Sequence, residues 1–313
     1  MKRVLSFDFG ASSGRAIMFS YDGKIICAKE LHRFDNVPYR QDGTLYWDFP
    51  ALMNELFIGM EKAVADGGFD RIGIGTWGGD FGLLDKNGVL IDNPVHYRDS
   101  RTDTMPDEVF SILPKNRLYG ETGIQIMPFN TIFQLYYVKK YKPELYDRAD
   151  KLLLIPDLMA YFLTGKMHAE RTIASTTQLT DAATKDWSEV IIDALGFKRS
   201  LFPDIIDSGS EYGMLKDDIC KKLGINSVPV IAVCCHDTAS AIFSVPANGR
   251  PLYLSCGTWS LLGTLSDNPI LSEESMAANF TNETGYGGVT RYLKNIMGLW
   301  IINECRREGK KSR

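Results

Sequence analysis

The chain is short of the features that mark a nucleic-acid binder, a membrane protein or a disulfide-stapled one. Its 35 Lys and Arg against 39 Asp and Glu leave a formal net charge of -4, so there is no positive excess to neutralise a phosphate backbone. No apolar run approaches the roughly 18 residues that a helix needs to cross a bilayer. Six cysteines (Cys27, Cys220, Cys234, Cys235, Cys256, Cys305) show no C-x-x-C spacing of a metal site. They read as reduced, small, core-compatible residues. Met1-Lys2-Arg3 passes directly into Val4-Leu5-Ser6-Phe7-Asp8. An acid so early, with no small-residue cleavage site, argues against a secretory leader, and the expected compartment is the cytoplasm. What is there, 44% hydrophobic and 24% charged over 313 residues, suits a globular chain of one or two domains.

One device occurs twice. In Val4–Ser20 a strand ends in Asp8-Phe9-Gly10, turns through Ala11-Ser12-Ser13-Gly14, and continues as Arg15 and a second apolar run. In Leu252–Thr264 a strand again turns, through Ser255-Cys256-Gly257-Thr258, into a second apolar run. Small-residue turns between strands point backbone N–H groups into a concavity, and such nests bind anions. Two of them, about a domain length apart, predict an internally duplicated nucleotide-binding fold whose cleft clamps a polyphosphate.

The elements between them read as α/β with a mixed sheet. Val4–Phe9, Ala16–Ser20 and Ile25–Leu31 form a meander with a hairpin signal at Tyr21-Asp22-Gly23-Lys24. Asp48 caps a helix with Pro50 in its first turn and Leu52, Leu56, Met60 and Val64 at helical spacing; Gly67-Gly68 end it. Arg71–Thr76 is a buried strand leading into Trp77-Gly78-Gly79-Asp80, and Asp85-Lys86-Asn87-Gly88 signals another hairpin. Residues 101–224 read as a mainly helical insertion with one strand, Leu152–Ile155. The first domain is set at 1–245 and the second at 246–313.

Several residues carry chemistry, each with an ordinary structural alternative. His236-Asp237-Thr238 follows the strand Pro229–Cys234 and opens a helix. Asp237 is either a helix cap or a general base at the end of a strand, where α/β folds place ligands. A helix N-terminus would hold its pKa down and keep it ionised. Asp8 is either a turn residue or a partner of Mg²⁺ through water. Arg15 either reaches a phosphate or is an exposed strand residue. Trp77, beside glycines, is either plain packing or the aromatic wall of a sugar site. The run Arg98–Asp103 is either a solvated loop or part of the same edge.

Taken together the motifs resemble the FGGY family of carbohydrate kinases over essentially the whole chain. The matching stretches are FDFGASSGRAIMF (7–19), GTWGGDFGLLD (75–85), YRDSRTD (97–103), GIQIMPFNTIFQLY (123–136), PDLMAYFLTGKMHAE (156–170), CHDTASA (235–241), YLSCGTWSLLG (253–263) and KNIMGLWIINE (294–304). The resemblance implies an actin-like, ribonuclease-H-like two-domain fold and an ATP- and Mg²⁺-dependent ketose 1-phosphotransferase. It further implies that the ketose is L-rhamnulose, with a related 6-deoxy ketose such as L-fuculose as the alternative. By this likeness Asp237 is the proton acceptor. Gly78, His236, Asp237, Thr238 and Asn295 contact the ketose. Ala11, Ser12, Ser13, Gly14, Arg15, Thr258 and Asn303 contact ATP. At 303 members of the implied type commonly carry Gln, so the shorter amide departs from the pattern. Partners are small molecules only, with neither nucleic acid nor membrane.

After the second turn about fifty residues remain, ending in the polar stretch Arg306–Arg313, so the second domain is expected to be incomplete. The 313 residues alone are expected to be nearly inactive as a kinase. The rival reading is a sugar-binding remnant that no longer holds ATP.

Overall fold

The computed structural model describes residues 1–247 and 249–311, the side chains of residues 303, 307, 308, 310 and 311 excepted. The meander forms as the sequence indicates. β1 (Lys2–Phe9), β2 (Ser13–Tyr21) and β3 (Ile26–Asp35) pair antiparallel in succession. β1 also pairs in parallel with Arg71–Thr76, which pairs in parallel with Pro229–Ile231. The edge strand Glu211–Met214 completes a six-stranded sheet. Three parallel strands therefore end at the same sheet edge, and their C-terminal ends carry Asp8, Trp77-Gly78 and His236-Asp237. Parallel α/β sheets bind ligands at that edge.

One face of the sheet is covered by α1 (Phe49–Ala65). The Asp48 carboxylate accepts from the Ala51 N–H at 3.0 Å, Pro50 lies in the first turn, and Leu52, Leu56, Met60 and Ala63 form the buried stripe. Gly59 lies where helix meets sheet: a Cβ there would fall 2.6 Å from Cε1 of Phe7 and 2.9 Å from Cβ of Ala16. Helix propensity alone favours Gly59→Ala by about 1 kcal/mol. Both neighbours are fully buried, so the overlap wins. The expected outcome in urea unfolding is a net loss of about 1–2 kcal/mol.

A second sheet follows, in the order Tyr253–Cys256, Trp259–Ser266, Thr290–Met297, Thr281–Thr284, antiparallel throughout. The second turn thus sits in a hairpin like the first. The helix Trp300–Lys311 docks beneath it: the N–H groups of Leu299 and Trp300 donate to the carbonyls of Gly257 and Thr258 at 2.9 and 3.3 Å. A Cβ on Gly298 would lie 2.7 Å from the Gly257 carbonyl oxygen, which explains the glycine in the MGLW run.

The region 101–224 departs from a simple helical insertion. Its strand runs Ala149–Leu154 and pairs with Phe81–Asp85, while Ile155 already begins the helix Ile155–Thr164. A tight turn does form at Asp85–Gly88, with Gly88 N–H donating to the Asp85 carbonyl at 2.8 Å, but only a single bridge, Leu84 to Leu90, follows it. Glu211–Met214 belongs to the main sheet, so the region is not merely appended. That strand is short and bulged and holds Gly213 at φ +154, a pattern with no clean alternation. The cysteine reading holds for Cys220, Cys234 and Cys235, which are buried free thiols, whereas Cys27, Cys256 and Cys305 are exposed. Among the described residues no helix is long and apolar enough to cross a membrane.

Candidate active site

A cleft of about 450 Å³ lies between the two sheets. From the first it takes Asp8, Gly10, Ala11, Arg15, Trp77, Gly78, His236, Asp237 and Thr238; from the second, Ser255, Gly257, Thr258, Trp259, Glu283 and Asn295. Ser12, Ser13 and Gly14 share the first turn but do not line the cleft. Gly14 is packed under Phe34, where a Cβ would meet the ring at 2.1 Å. Asn303 falls in the Trp300–Lys311 helix, and its side chain lies outside the described residues. The two turns also hydrogen-bond within themselves: Gly10 N–H donates to the Ser13 carbonyl at 2.9 Å, and Gly257 N–H to the Trp259 carbonyl at 2.8 Å. Those two N–H groups are therefore not aimed at a ligand as a simple nest would have them.

Asp237 is the first residue of the helix Asp237–Phe243, and the preceding His236 holds the cap position. The Asp237 side chain is about one-third exposed. Its Oδ1 accepts from the N–H and hydroxyl of Thr238 at 2.5 and 3.0 Å and lies 3.6 Å from Nε2 of His236. Contrary to the helix-terminus argument, its pKa is raised. Withdrawal from water pushes it up, His236 and the Thr238 hydrogen bond pull it down, and nearby Asp8 adds to the rise. Asp8 itself pairs with Arg15. Arg15 is thus neither a bare strand residue nor yet a phosphate ligand.

Trp77 reaches the cleft but also packs against Trp47, the rings 4.2 Å apart and tilted by 39°, and donates its indole N–H to Asp80 at 3.0 Å. Phe81 is buried away from the cleft. The apolar wall of the cleft instead comes from Tyr97, Ile124, Met127, Phe129 and Trp259. Of the run Arg98–Asp103, Arg98 lies over the rings of Tyr97, Trp259 and Trp300 at 5.1, 5.4 and 4.7 Å. Asp99 accepts from the backbone N–H groups of Arg101 and Leu45.

Sequence reasoning missed three groups. Asp80, 1% exposed, accepts from Trp47 Nε1 at 2.6 Å, Trp77 Nε1 at 3.0 Å, Tyr97 N–H at 3.2 Å and Gln134 Nε2 at 2.9 Å. Burial lifts its pKa to about 6 despite these bonds. Gln125 ties Asn295 in place, its Oε1 accepting from the Asn295 backbone N–H at 3.0 Å and amide Nδ2 at 3.1 Å. Glu283 and Arg291 approach His236 from the second sheet. The only sequence signal for Asp80 and Gln125 was membership in runs such as GTWGGD and GIQIMPFN, which carry no roles by themselves; Glu283 and Arg291 fall in none of the matching stretches. Among the described residues no group of three or more His, Cys, Asp or Glu could by itself hold a metal ion.

A family model for the FGGY family of carbohydrate kinases, N-terminal domain, matches residues 3–244, and the corresponding C-terminal domain model matches 252–313. A rhamnulokinase of Oceanobacillus iheyensis is 43% identical over 305 residues, 97% of this chain and 64% of that relative. A rhamnulokinase of Bacteroides thetaiotaomicron is 43% identical over 308 residues, covering 97% and 63%. The chain thus spans less than two thirds of the length of these curated relatives. Among solved structures, ligand-bound xylulose kinase from Lactobacillus acidophilus superposes with a TM-score of 0.85 at 19% identity, covering 98% of this chain and 62% of that one. Plasmodium falciparum glycerol kinase with ADP gives 0.80 at 18% identity, covering 99% and 64%. At such identities the likeness speaks for the fold, which is that of the two-domain sugar kinases. The chain belongs to the FGGY family of carbohydrate kinases.

Proposed function

We propose that the protein transfers the γ-phosphoryl group of ATP to the C1 hydroxyl of L-rhamnulose, in a cleft between a domain of residues 1–245 and one beginning at 246. The observation that carries the reading is the convergence of Asp237, Gly78, His236 and Asn295 with both turns on one cleft, in a chain 43% identical to two rhamnulokinases. Gly78, His236, Thr238 and Asn295 hold the ketose. Asp237, its Oδ1 engaged by Thr238, offers Oδ2 to the C1 hydroxyl and takes its proton as the oxygen attacks. Ala11 and Arg15 from the first turn and Thr258 from the second hold the triphosphate from opposite sides, with Asn303 as a further nucleotide contact. Phosphoryl transfer has a loose transition state, so alignment and charge neutralisation supply most of the rate.

The residues suit Mg²⁺ held mainly by the triphosphate. It takes one or two carboxylates and keeps much of its water, and Asp8 in the cleft is such a carboxylate, with Arg15 as its present counter-charge. Mg²⁺ would neutralise phosphate charge.

The C6 methyl of L-rhamnulose is matched by the apolar wall of Tyr97, Met127, Phe129 and Trp259. A hydroxyl in place of that methyl is disfavoured only by about 10²-fold in an apolar pocket. The test is ADP release by the full-length protein with L-rhamnulose, L-fuculose, xylulose and glycerol. Highest kcat/KM for L-rhamnulose is expected. Preference for xylulose or glycerol overturns the assignment, and binding of the ketose without any ADP release marks a non-catalytic sugar binder.

A further inference from the structure

Arg291 is 1% exposed, on the strand Thr290–Met297, directly across the ladder from Glu283. One of its terminal nitrogens, Nη2, donates to Glu283 Oε2 at 2.7 Å and also lies 2.9 Å from Nδ1 of His236. The Glu283 Oε2 atom is 3.3 Å from the same Nδ1. A guanidinium has donors and no acceptor, so the shorter contact requires a lone pair on Nδ1. The ring's hydrogen must then sit on Nε2, the nitrogen nearer Asp237.

We propose that Arg291, anchored by Glu283, is a positioning residue that fixes His236 as its neutral Nε2–H tautomer, presenting an N–H donor to the sugar pocket beside Asp237. Burial disfavours the Glu283 carboxylate, yet the Arg291 guanidinium 2.7 Å away holds its pKa below the ordinary 4.5. It stays ionised and serves as the anchor. The backbone of His236 is fixed from the other side: its N–H donates to Thr172 Oγ1 at 3.2 Å, and the Thr172 hydroxyl donates to Glu170 Oε2 at 2.6 Å. Thr172, in the short helix Arg171–Ala174, therefore sets where His236 is, and the second sheet sets which ring nitrogen carries hydrogen. The ring becomes a correctly oriented donor only when the two sheets are packed as found. Gly285 leaves room for this, since a Cβ there would press on Arg291 Cγ at 3.2 Å. The inference rests on the reading of His236 as a sugar contact, but its tautomer is measurable without sugar.

With four histidines in the sequence, ring ¹⁵N NMR at neutral pH is tractable, and His236→Asn assigns the resonances. The wild-type ring is expected as neutral Nε2–H. Glu283→Gln, which leaves the Arg291 donor, keeps that tautomer. The double variant Glu283→Gln/Arg291→Met strands no lone buried charge. It loses the Nε2–H preference, and L-rhamnulose affinity by calorimetry falls about tenfold, the scale of one hydrogen bond. A wild-type ring found as Nδ1–H or doubly protonated overturns the proposal, even if the double variant fails to fold. So does a folded double variant that retains the Nε2–H tautomer. The expected tautomers with no binding of L-rhamnulose to any form would support the positioning role and overturn the sugar assignment instead.

Discussion

Asp237→Asn in the full-length protein lowers kcat by about 10²–10⁴-fold, the range for loss of a general base, while the affinity for L-rhamnulose changes little. Asn keeps the size and the side-chain oxygen that accepts from Thr238, so only the proton-accepting oxygen is lost. The wild-type profile should also carry an acid limb. Because burial raises the Asp237 pKa above its ordinary 3.8, activity falls as pH drops through a value higher than that, as the base becomes protonated. Steady-state kinetics across pH on both forms check this. A variant with near-normal kcat would reduce Asp237 to a helix residue with no part in proton transfer.

Asp80→Ala destabilises the first lobe by about 2–4 kcal/mol in denaturant unfolding. It strands four donors around one fully buried site, two of them indole N–H groups, and orphaned buried donors lose their full solvation. Asp80→Asn keeps an acceptor and costs less. It also changes the pH dependence with a definite sign. The folded pKa of about 6 lies above the ordinary 3.8, so the folded state binds the proton more tightly. This group's contribution is fully present below about 4 and is lost as pH rises through about 6, an amount on the order of 3 kcal/mol. Relative to wild type, Asp80→Asn should therefore gain stability between pH 4 and 7. A wild-type-minus-variant difference flat across that range would show that Asp80 is not buried as described.

The parts of the site that follow from local rules were legible in the sequence. The two hairpin turns, the Asp48 cap, the Leu52–Leu56–Met60 stripe and the His236–Asp237 helix start all stand where periodicity and turn chemistry put them. What was not legible depends on contacts distant in sequence. The raised pKa of Asp237 reflects desolvation by a cleft built from both sheets, which outweighs the helix terminus. Trp77 shares the cleft wall with Phe129 and Trp259, which lie 52 and 182 residues further along the chain (129−77, 259−77). Glu283, Arg291 and Gln125 act across separations of 47, 55 and 170 residues respectively (283−236, 291−236, 295−125), beyond any local pattern. Glu211–Met214 was hidden by its bulge and its glycine.

In the proposed reaction this cleft directs phosphate to the C1 hydroxyl of L-rhamnulose. Its most direct test is ¹³C NMR of the product formed by the full-length protein from ATP, Mg²⁺ and L-rhamnulose labelled at C1. A C1 resonance split by a two-bond coupling to ³¹P is expected, absent with Asp237→Asn over the same interval. Phosphate on another carbon, or no product from L-rhamnulose while xylulose is phosphorylated, would contradict it.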